Sequence, residues 1–523
     1  MGETNNTPTP GPGVPGSPRP WWGALAGVLA AAVGLGLGEM TAAGLGVGSP
    51  VVAVGDVVVD RSPQWLTEFA VAAFGEYDKG VLLSGIVVVL GVLAAVAGAV
   101  SIRRPVAGRA LVVLLGVVAA AAAIGSPAGG VLDVAPPVVV VVTGLATLRL
   151  LLDRLPMRDA AAEGSGPGRR GVLVLGAGAL GVAAVSGVLS RVLGGGSGVA
   201  SASRSEVQLP RPSDPAPRLP SDAALEVDGL SPFRTPNDEF YRVDTALTVP
   251  RLSADDWSLR VHGMVDREMR VTYRQLLSMP LVERDITMTC VSNPVGGPYI
   301  GTARWLGYPL RDLLERAGVH PGANQVVSRS SDGMTIGTPT SVLTDGRDAL
   351  LVVGMNGQPL PLEHGFPVRM VVPGLYGYVS ATKWVTELEL TTFDAYDAYW
   401  VERGWAQQAP IKTASRIDTP RSGGGVQAGT TVPVAGVAWA QRRGIARVEV
   451  RVDGGAWQEA QLSGDAGDDV WRQWVWQWPV GDTGQHRLEV RATDGDGHTQ
   501  PEQRVDPIPD GATGWHAVVV DVT

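Results

Sequence analysis

A series of apolar stretches near the N-terminus limits what this chain can fold into. Each stretch is close to the roughly 20 residues that an α-helix needs to cross a bilayer core. The stretches are residues 21–46, 80–101, 107–125, 134–152 and 171–193. We therefore predict an all-α bundle of about five transmembrane helices over residues 21–193, preceded by a disordered cytoplasmic tail over residues 1–20.

Positive charge in the short loops indicates how these helices are oriented, since Lys and Arg stay on the cytoplasmic side. Arg residues precede the first stretch and lie between the second and third and between the fourth and fifth, whereas Asp56, Asp60 and Asp133 fall in the other loops. With five spans, the chain after residue 193 is predicted to lie outside the cytoplasmic membrane. The apolar segment 64–74 is too short to span and is expected to form an interfacial or buried helix.

Arg169 and Arg170 open the last stretch, and two interpretations of this pair remain open. A twin-arginine export signal would suit a domain that has to fold before it crosses the membrane. The same pair equally satisfies the rule that positive residues lie in cytoplasmic loops. The dipeptide alone does not choose between them.

The distribution of ionisable residues excludes several functions. All six His lie beyond residue 200, so no span can hold a haem between two imidazoles, and no haem is expected. The spans contain almost no internal charge apart from Glu39, which argues against an ion pathway. A net charge of −9 without clustered Lys and Arg argues against nucleic-acid binding. The membrane half is therefore interpreted as an anchor.

The composition changes twice after the spans. Residues 194–222 are rich in Gly and Ser and then in Pro, which predicts a flexible linker. Residues 223–408 alternate β-branched segments such as Ser258–Gly263 with helical ones such as Pro309–Ala317, an α+β pattern. Residues 409–523 contain regularly spaced strands separated by Gly and Asp, which predicts an immunoglobulin-like β-sandwich.

Four Trp residues, Trp471, Trp474, Trp476 and Trp478, fall in one predicted strand of this C-terminal part. Such a concentration of aromatic residues could bind carbohydrate. Packing is favoured, because Trp474, Trp476 and Trp478 share one strand face. The predicted strands are Val432–Ala440, Ile445–Val452, Trp471–Trp478, His486–Thr493 and Trp515–Val522.

Cys290 is the only cysteine of the 523 residues. A single thiol excludes an intramolecular disulfide and any zinc site built from several Cys. A lone Cys is more often a small buried apolar residue than a reactive group. The neighbouring sequence therefore has to determine which interpretation is favoured.

Two segments around Cys290 have a distinctive sequence. Residues 287–297 read Thr-Met-Thr-Cys-Val-Ser-Asn-Pro-Val-Gly-Gly, and residues 302–310 read Thr-Ala-Arg-Trp-Leu-Gly-Tyr-Pro-Leu. They resemble the cysteine region of the sulfite oxidase family, in which the thiolate binds a molybdenum that is also held by pterin sulfurs. A soft thiolate suits such a metal. The resemblance implies that Cys290 is the metal ligand of a molybdenum–molybdopterin cofactor.

Further segments resemble the family in the same chain order, so that the likeness covers about residues 225–523. Residues 240–244 are similar to a segment that lines the cofactor, residues 364–369 are the closest match, and residues 382–384 match a cofactor-contacting lysine followed by tryptophan. Residues 331–333 are a weaker match. The cofactor-binding residues that this implies are Tyr241, Arg242, Val243, Asp332, His364, Arg369, Thr382 and Lys383.

The chain departs from the family pattern next to the cysteine. Sulfite-oxidising members carry Asn-Arg-Arg there, whereas this chain has Ser-Asn-Pro over residues 292–294 and no Arg before Arg304. Arg242, with Arg304 as a second candidate, is expected to supply the positive charge for an oxyanion. The tyrosine that the family places near the metal is predicted to be Tyr396 or Tyr399.

The resemblance implies a two-electron oxygen-atom transfer on a small substrate outside the membrane. Sulfite-like oxidation and reduction of a sulfoxide or N-oxide both remain open. An external electron partner is expected, either a cytochrome or a quinone, and the C-terminal domain implies a homodimer. The alternative from another class is a membrane-anchored binding or structural protein that keeps the fold without a metal.

Overall fold

The computed structural model describes residues 20–63, 66, 73–74, 78–126, 129–154, 181 and 196–523. The chain divides into two compact units, Met1–Ser197 and Gly198–Thr523. The predicted fifth span over 171–193, apart from residue 181, and the Arg169–Arg170 pair lie outside the described residues, as does most of the segment 64–74.

The described part of the first unit is helical. Its helices are α1 (Pro20–Leu45), α2 (Pro50–Arg61), α3 (Asp78–Arg103), α4 (Pro105–Gly125) and α5 (Ala135–Leu152), with a 3-10 turn over Val131–Val134. Four segments are long and apolar enough to cross a membrane: Pro20–Leu45, Lys79–Arg103, Pro105–Gly125 and Val131–Leu152. They coincide with the first four predicted spans.

Glycines let α1 approach its neighbouring helices closely. A Cβ at Gly27 would collide with the backbone of Ala94 on α3, and one at Gly98 would collide with the backbone of Gly23 on α1. On the other side of α1, a Cβ at Gly34 would lie 2.7 Å from the carbonyl oxygen of Val140 on α5. Small residues at such contacts are how apolar helices pack where the hydrophobic effect does not drive association.

Helix α2 was not predicted. Ser49 caps its first turn, since its hydroxyl accepts hydrogen bonds from the amides of Val51 (3.2 Å) and Val52 (3.3 Å), and Pro50 occupies the first helical position. With 12 residues the helix is too short to cross a bilayer.

The segment predicted as a flexible linker is largely structured. Residues 196–206 form helix α6 (Gly196–Glu206), and the Arg204 guanidinium donates to the carbonyl of Leu360 at 2.8 Å. Further along, the amide of Ser213 donates to the carbonyl of Leu281 (2.7 Å). The amide of Glu283 donates in turn to the carbonyl of Asp214 (2.9 Å). An extended Pro-rich segment thus covers an open sheet edge, which composition alone could not indicate.

The first half of the second unit is built from two sheets and three short helices. One sheet has the order β3 (Val282–Thr289), β4 (Ile300–Pro309), β7 (Leu350–Met355), β8 (Gln358–Pro359), with β9 (Arg369–Val371) also beside β7. The other has the order β2 (Met269–Thr272), β1 (Ser258–Gly263), β10 (Val385–Thr391), β5 (Gln325–Ser330), β6 (Thr335–Pro339). The helices are α7 (Tyr273–Leu277), α8 (Leu310–Ala317) and α9 (Thr340–Thr344).

This half has a continuous apolar core. All six residues of β7 are buried, and Trp305 on β4 and Leu259 on β1 are fully buried in the same cluster. A strand with both faces covered reads as an unbroken apolar run, as in the Leu-Leu-Val-Val sequence of β7. The α+β prediction agrees with this arrangement.

The C-terminal half contains two further sheets around one core. The first has the order β11 (Ala414–Thr419), β13 (Thr431–Trp439), β17 (Arg472–Pro479), β16 (Gln461–Leu462). The second has the order β12 (Gly425–Val426), β19 (His516–Val522), β18 (Gly484–Asp494), β14 (Ile445–Val452), β15 (Gln458–Glu459). The five predicted strands correspond to β13, β14, β17, β18 and β19. The immunoglobulin-like connectivity stays a prediction.

The aromatic strand β17 faces inward, as the packing interpretation required. Trp474 and Trp478 are buried between the two sheets together with Val450 and Val490 of the second sheet. Trp471 is also buried, but it belongs to the core of the first half, where its indole nitrogen donates to the carbonyl of Phe233 at 2.9 Å. The C-terminal half is therefore joined to the first half through buried contacts.

Candidate active site

Cys290 lies directly after β3, in the loop that leads to β4. Its amide donates to the carbonyl of Tyr299 at 3.0 Å, which closes the loop, and the side-chain oxygen of Asn293 accepts from the Tyr299 amide at 2.9 Å. The thiol is half-buried, and its sulfur lies 2.9 Å from the hydroxyl oxygen of Ser292. The loop thus holds the thiol in a defined position at the end of a buried strand.

The electrostatic surroundings of Cys290 include Tyr241 and Tyr376. Burial raises the pKa of the Cys290 thiol, while Ser292 and the positive charge of Lys383 act in the opposite direction. Burial, together with the negative charge of a Cys290 thiolate, raises the pKa of Tyr241 and raises that of Tyr376 to about 12. Both phenols are therefore protonated at neutral pH. Tyr376 was not anticipated from the sequence, because nothing in its local motif marks its proximity to the thiol.

Lys383 and Arg242 share one carboxylate. The Lys383 ammonium lies 2.7 Å and the Arg242 guanidinium 2.9 Å from the same oxygen of Asp244, whose side chain is only 4% exposed. The Lys383 ammonium also donates to the carbonyl of Glu363 at 3.1 Å. Burial lowers the pKa of Lys383 to about 8, although Asp244 counteracts that effect. Asp244 is a site residue that the sequence reasoning missed.

Arg369 lies beside Lys383 because the two backbone segments that contain them are hydrogen-bonded to each other. The amide of Met370 donates to the carbonyl of Thr382 (2.8 Å), and the amide of Val385 donates to that of Val368 (3.1 Å). The Arg369 guanidinium is buried and donates to the carbonyl of His364 at 3.1 Å. Burial lowers its pKa to about 10. Within the part of the chain that the structure describes, no carboxylate forms an ion pair with it.

His364 is also buried, at the end of a 3-10 turn over Leu362–His364. Its Nε2 lies 3.0 Å from the carbonyl oxygen of Asn237, so this nitrogen carries the proton and donates. Burial, reinforced by the positive charge of Arg369, lowers the pKa of His364 to about 4. The ring is therefore neutral at pH 7 and contributes a dipole rather than a charge.

Residues 331–333, the weaker match to the family, lie beside Trp384, the residue that follows Lys383 in the chain. They form the turn between β5 and β6, where the amide of Ser331 donates to the carbonyl of Trp384 at 2.9 Å. The Asp332 carboxylate accepts from the Met334 amide at 3.2 Å, within its own turn. Thr382 is buried, with its hydroxyl 2.5 Å from that of Ser328, and Val243 is 43% exposed beside Arg242.

The two predicted tyrosines lie against β6. The hydroxyl of Tyr396 donates to the Thr335 hydroxyl at 3.3 Å, and the amide of Tyr399 donates to the same oxygen at 3.2 Å. The Arg403 guanidinium stacks 3.6 Å above the centre of the Tyr399 ring. The charge of Cys290 contributes to the raised pKa values of Tyr241 and Tyr376, and the placement of Tyr396 or Tyr399 near the metal stays a prediction.

Arg304 is held in an ion-pair network at a distance from Cys290. Its guanidinium lies 2.7 Å from Asp285, which also binds Arg234 at 2.7 Å. In the antiparallel register Arg304 is opposite Asp285. Cys290 instead pairs with Tyr299, which lies five residues before Arg304 in the chain. Five residues of a strand span roughly 17 Å. We therefore leave Arg304 out of the candidate site.

Comparisons with known proteins agree with the two halves of the second unit. Residues 246–400 match the family described as the oxidoreductase molybdopterin binding domain, and residues 405–523 match the Mo-co oxidoreductase dimerisation domain. A solved structure, the sulfane dehydrogenase SoxCD from Paracoccus pantotrophus, has a TM-score of 0.47 and 23% sequence identity, covering 55% of this chain and 83% of that one.

Several curated proteins are similar in sequence. The chain is 30% identical to the sulfite oxidase of Gallus gallus over 338 residues, which cover 54% of this chain and 72% of that protein. It is 30% identical to the mitochondrial sulfite oxidase of Homo sapiens over 369 residues, covering 57% and 66%. It is 29% identical to nitrate reductase [NADH] 1 of Oryza sativa subsp. japonica, covering 49% and 35%. The chain thus spans just under two thirds of the length of the human protein.

Proposed function

The chain belongs to the sulfite oxidase family of molybdopterin-dependent oxidoreductases, and from this premise we propose that it catalyses a two-electron oxygen-atom transfer on a small substrate outside the membrane. The observation that carries the proposal is the half-buried thiol of Cys290 beside cations whose charge is only partly neutralised by the protein.

The residues of the site fit a molybdenum–pterin group. Cys290 offers a soft sulfur ligand of the kind such a metal takes. Arg242 and Lys383 share one carboxylate, Asp244, and Arg369 has no carboxylate partner among the described residues, so the set has excess positive charge to offer the phosphate of the pterin. The buried hydroxyls of Ser330 and Ser331, next to the turn that borders Trp384, have no hydrogen-bond partner within the described protein and could bind the pterin's polar edge.

Each residue then has a separate task. Cys290 holds the metal as a thiolate, a state that metal binding favours against the raised pKa of the free thiol. Lys383 and Arg369 bind the phosphate end, and Arg242 holds the Asp244 carboxylate that also contacts Lys383. The neutral His364 side chain stabilises its turn, and the carbonyl of His364 accepts a hydrogen bond from the Arg369 guanidinium. When bound, the molybdenum–pterin group supplies the exchange of two electrons and one oxygen atom.

A metal-free scaffold is the less favoured alternative, because it would keep the buried Arg369 guanidinium without an anionic partner. Leaving a charge unpaired in a protein interior costs several kcal/mol, on the order of the penalty for breaking a buried ion pair. Within the described residues no carboxylate offsets that cost for Arg369. A bound phosphate would offset it.

The four long apolar helices support membrane anchoring, and we propose that they hold the catalytic unit at the outer side of the cytoplasmic membrane. The match of residues 405–523 to a dimerisation domain supports a homodimer. Because the catalytic chemistry transfers two electrons, a cytochrome or a quinone has to deliver or remove them.

Molybdenum content of Cys290→Ser tests the proposal. Detergent-purified wild-type protein should contain near-stoichiometric molybdenum by elemental analysis, and the variant should lose the metal and all turnover while keeping its circular dichroism. Ser292→Ala is the matched control, because it removes the neighbour of the thiol but keeps the thiol itself. A Cys290→Ser protein that retains both metal and turnover would refute the role of the thiolate.

A further inference from the structure

We propose that the Ser292 hydroxyl donates a hydrogen bond to the Cys290 sulfur and thereby makes the bound molybdenum a stronger oxidant. The inference rests on the proposed molybdenum–pterin function and deepens it by assigning control of the reduction potential to a side chain outside the ligand set. Ser292 acts on the metal only through the sulfur, so it is a positioning residue rather than a catalytic one.

The contact between the two side chains is direct. The Ser292 hydroxyl oxygen lies 2.9 Å from the Cys290 sulfur, and in the described part of the chain this sulfur is the only hydrogen-bond partner of the Ser292 side chain. A sulfur that is bound to a metal as a thiolate carries no proton and can only accept. The hydroxyl therefore has to be the donor once the metal is bound.

The loop after β3 holds the hydroxyl at this position. The amide of Asn293 donates to the carbonyl of Cys290 at 3.1 Å, which closes a four-residue turn with Ser292 at its third position. The side chain of Val291 is buried in the apolar core, and the side-chain oxygen of Asn293 accepts from the amide of Tyr299 at 2.9 Å. Because both neighbours of Ser292 are anchored, the fold sets the distance between its hydroxyl and the sulfur.

The hydroxyl adds to other groups that act on the same sulfur. Burial raises the pKa of Cys290, whereas the hydroxyl and the backbone amide of Ser292 lower it. Lys383 acts in the same direction through its charge, part of which the Asp244 carboxylate neutralises at 2.7 Å. The backbone amide is present with any side chain at position 292. The hydroxyl is therefore the contribution that Ser supplies and that Ala would not.

A hydrogen bond to the ligand sulfur should favour the reduced metal. The reduced metal is the more electron-rich state, so its sulfur is the stronger acceptor and gains more from the donor. Hydrogen bonds to the sulfurs are among the features that set the reduction potentials of iron–sulfur centres. Stabilising the reduced state raises the potential, and a metal with a higher potential withdraws electrons from a substrate more readily.

The position of Ser292 in the sequence makes this a property of the individual chain. Ser292 opens the Ser-Asn-Pro segment in which the chain departs from the family pattern. Its hydroxyl is thus not one of the features that the matching motifs imply. A purely structural Ser in a turn would affect the stability of the loop but not the potential of the metal.

A potentiometric titration of the full-length holoprotein in detergent tests the inference, with the EPR signal of the one-electron-reduced molybdenum as the readout. We expect Ser292→Ala to retain molybdenum, since it keeps the thiol, and to shift the one-electron equilibrium about tenfold toward the oxidised metal, which is a decrease of about 59 mV. Ser292→Thr keeps a hydroxyl at this position and should restore the wild-type potential.

Val295→Ala is the matched control for disturbance of the loop. It truncates a half-buried side chain in the same loop and removes no hydrogen-bonding group. Its potential should equal that of the wild type. The inference is overturned if Ser292→Ala has the wild-type potential or a higher one, or if Val295→Ala lowers the potential as much as Ser292→Ala does.

Infrared absorption of the metal-free full-length protein tests the hydrogen bond itself. Cys290 is the only cysteine of the chain, so the S–H stretching band reports on this thiol alone. At about pH 6, below the ordinary Cys pKa of about 8.5, the sulfur carries its proton. We expect Ser292→Ala to change the frequency of this band and Ser292→Thr to keep it. An identical band in wild type and Ser292→Ala would refute the contact, even if the alanine variant loses its molybdenum.

Molybdenum content separates this inference from the proposed function. Wild-type protein that contains no molybdenum after maturation in pterin-competent cells contradicts the proposed function, and this inference falls with it. Protein that contains molybdenum, but with the same potential in wild type and Ser292→Ala, contradicts this inference alone.

Discussion

Replacing Arg304 by Gln should weaken the fold rather than substrate binding. In the structure its guanidinium donates two hydrogen bonds to Asp285, at 3.1 and 2.7 Å. Hydrogen bonds to charged groups contribute about 1.5–3 kcal/mol each when buried. The Arg304 side chain is 25% exposed, and Asp285 keeps its bonds to Arg234, so we expect a loss of only about 2 kcal/mol in the free energy of unfolding.

The pH dependence of this loss follows from Asp285. Although burial alone would raise its pKa, the hydrogen bonds and charges of Arg234 and Arg304 bring the net pKa below its ordinary value. A carboxyl whose pKa is lowered by folding stabilises the protein above its unfolded pKa, and that contribution disappears as the pH falls through the folded value. The difference between wild type and Arg304→Gln should therefore be largest near neutral pH and shrink below an ordinary Asp pKa of about 3.9.

Thermal unfolding followed by tryptophan fluorescence measures this effect in the detergent-purified holoprotein. A loss of about 2 kcal/mol corresponds to a decrease of about 3 °C in Tm for a folding unit of this size. A double-mutant cycle with Asp285→Asn should give a coupling energy, since the two residues are in direct contact. The reasoning fails if Arg304→Gln unfolds at the wild-type temperature and instead raises KM for an anionic substrate about tenfold.

Two other predictions concern the cofactor site. Lys383→Met should retain several-fold less molybdenum after dialysis, because it removes a cation that we assign to the pterin phosphate. Since the pKa of Lys383 is about 8, its ammonium loses its proton above that pH, and cofactor uptake by metal-free protein should weaken there; uptake that does not vary with pH would contradict the assignment. Gly365→Ala should cost about 1–3 kcal/mol in unfolding free energy, because φ is +108° and the new Cβ would lie 3.1 Å from that of Lys383. Gly404→Ala is its control for thermal unfolding, with a similar positive φ of +87° but open space around the new atom.

Much of the fold could be predicted from residue patterns. The four spans and the five strands of the C-terminal half follow from long apolar runs and from alternation along short segments, which depend on local sequence alone. The four motif segments were expected to share a site, and the structure does bring Arg369, Lys383 and Arg242 together and places a positive charge near Cys290.

The features that the sequence could not predict depend on contacts between distant segments. Arg304 lies within one of the two segments that resemble the family's cysteine region, yet strand register places it level with Asp285 rather than with Cys290. Asp244 lies at the end of a segment that resembles the family, but its pairing with Lys383, 139 residues away, is set by the fold. Tyr376 lies in a loop outside the quoted segments. The supposed linker is held by backbone hydrogen bonds to β3, and a Pro-rich composition does not reveal such a partner.

Strand β3, which leads directly to Cys290, is hydrogen-bonded to residues of the C-terminal half of the chain. The amide of Thr287 donates to the carbonyl of Asp469 (2.9 Å), and the Thr287 hydroxyl accepts from the amide of Trp471, 184 residues further along. A ribosome therefore has to synthesise nearly the whole polypeptide before the thiol can reach its final position, although N-terminal segments ordinarily fold first. We therefore expect the proposed insertion of the cofactor at Cys290 to follow translation, and truncation before residue 469 to leave the proposed metal site incomplete even though Cys290 is present.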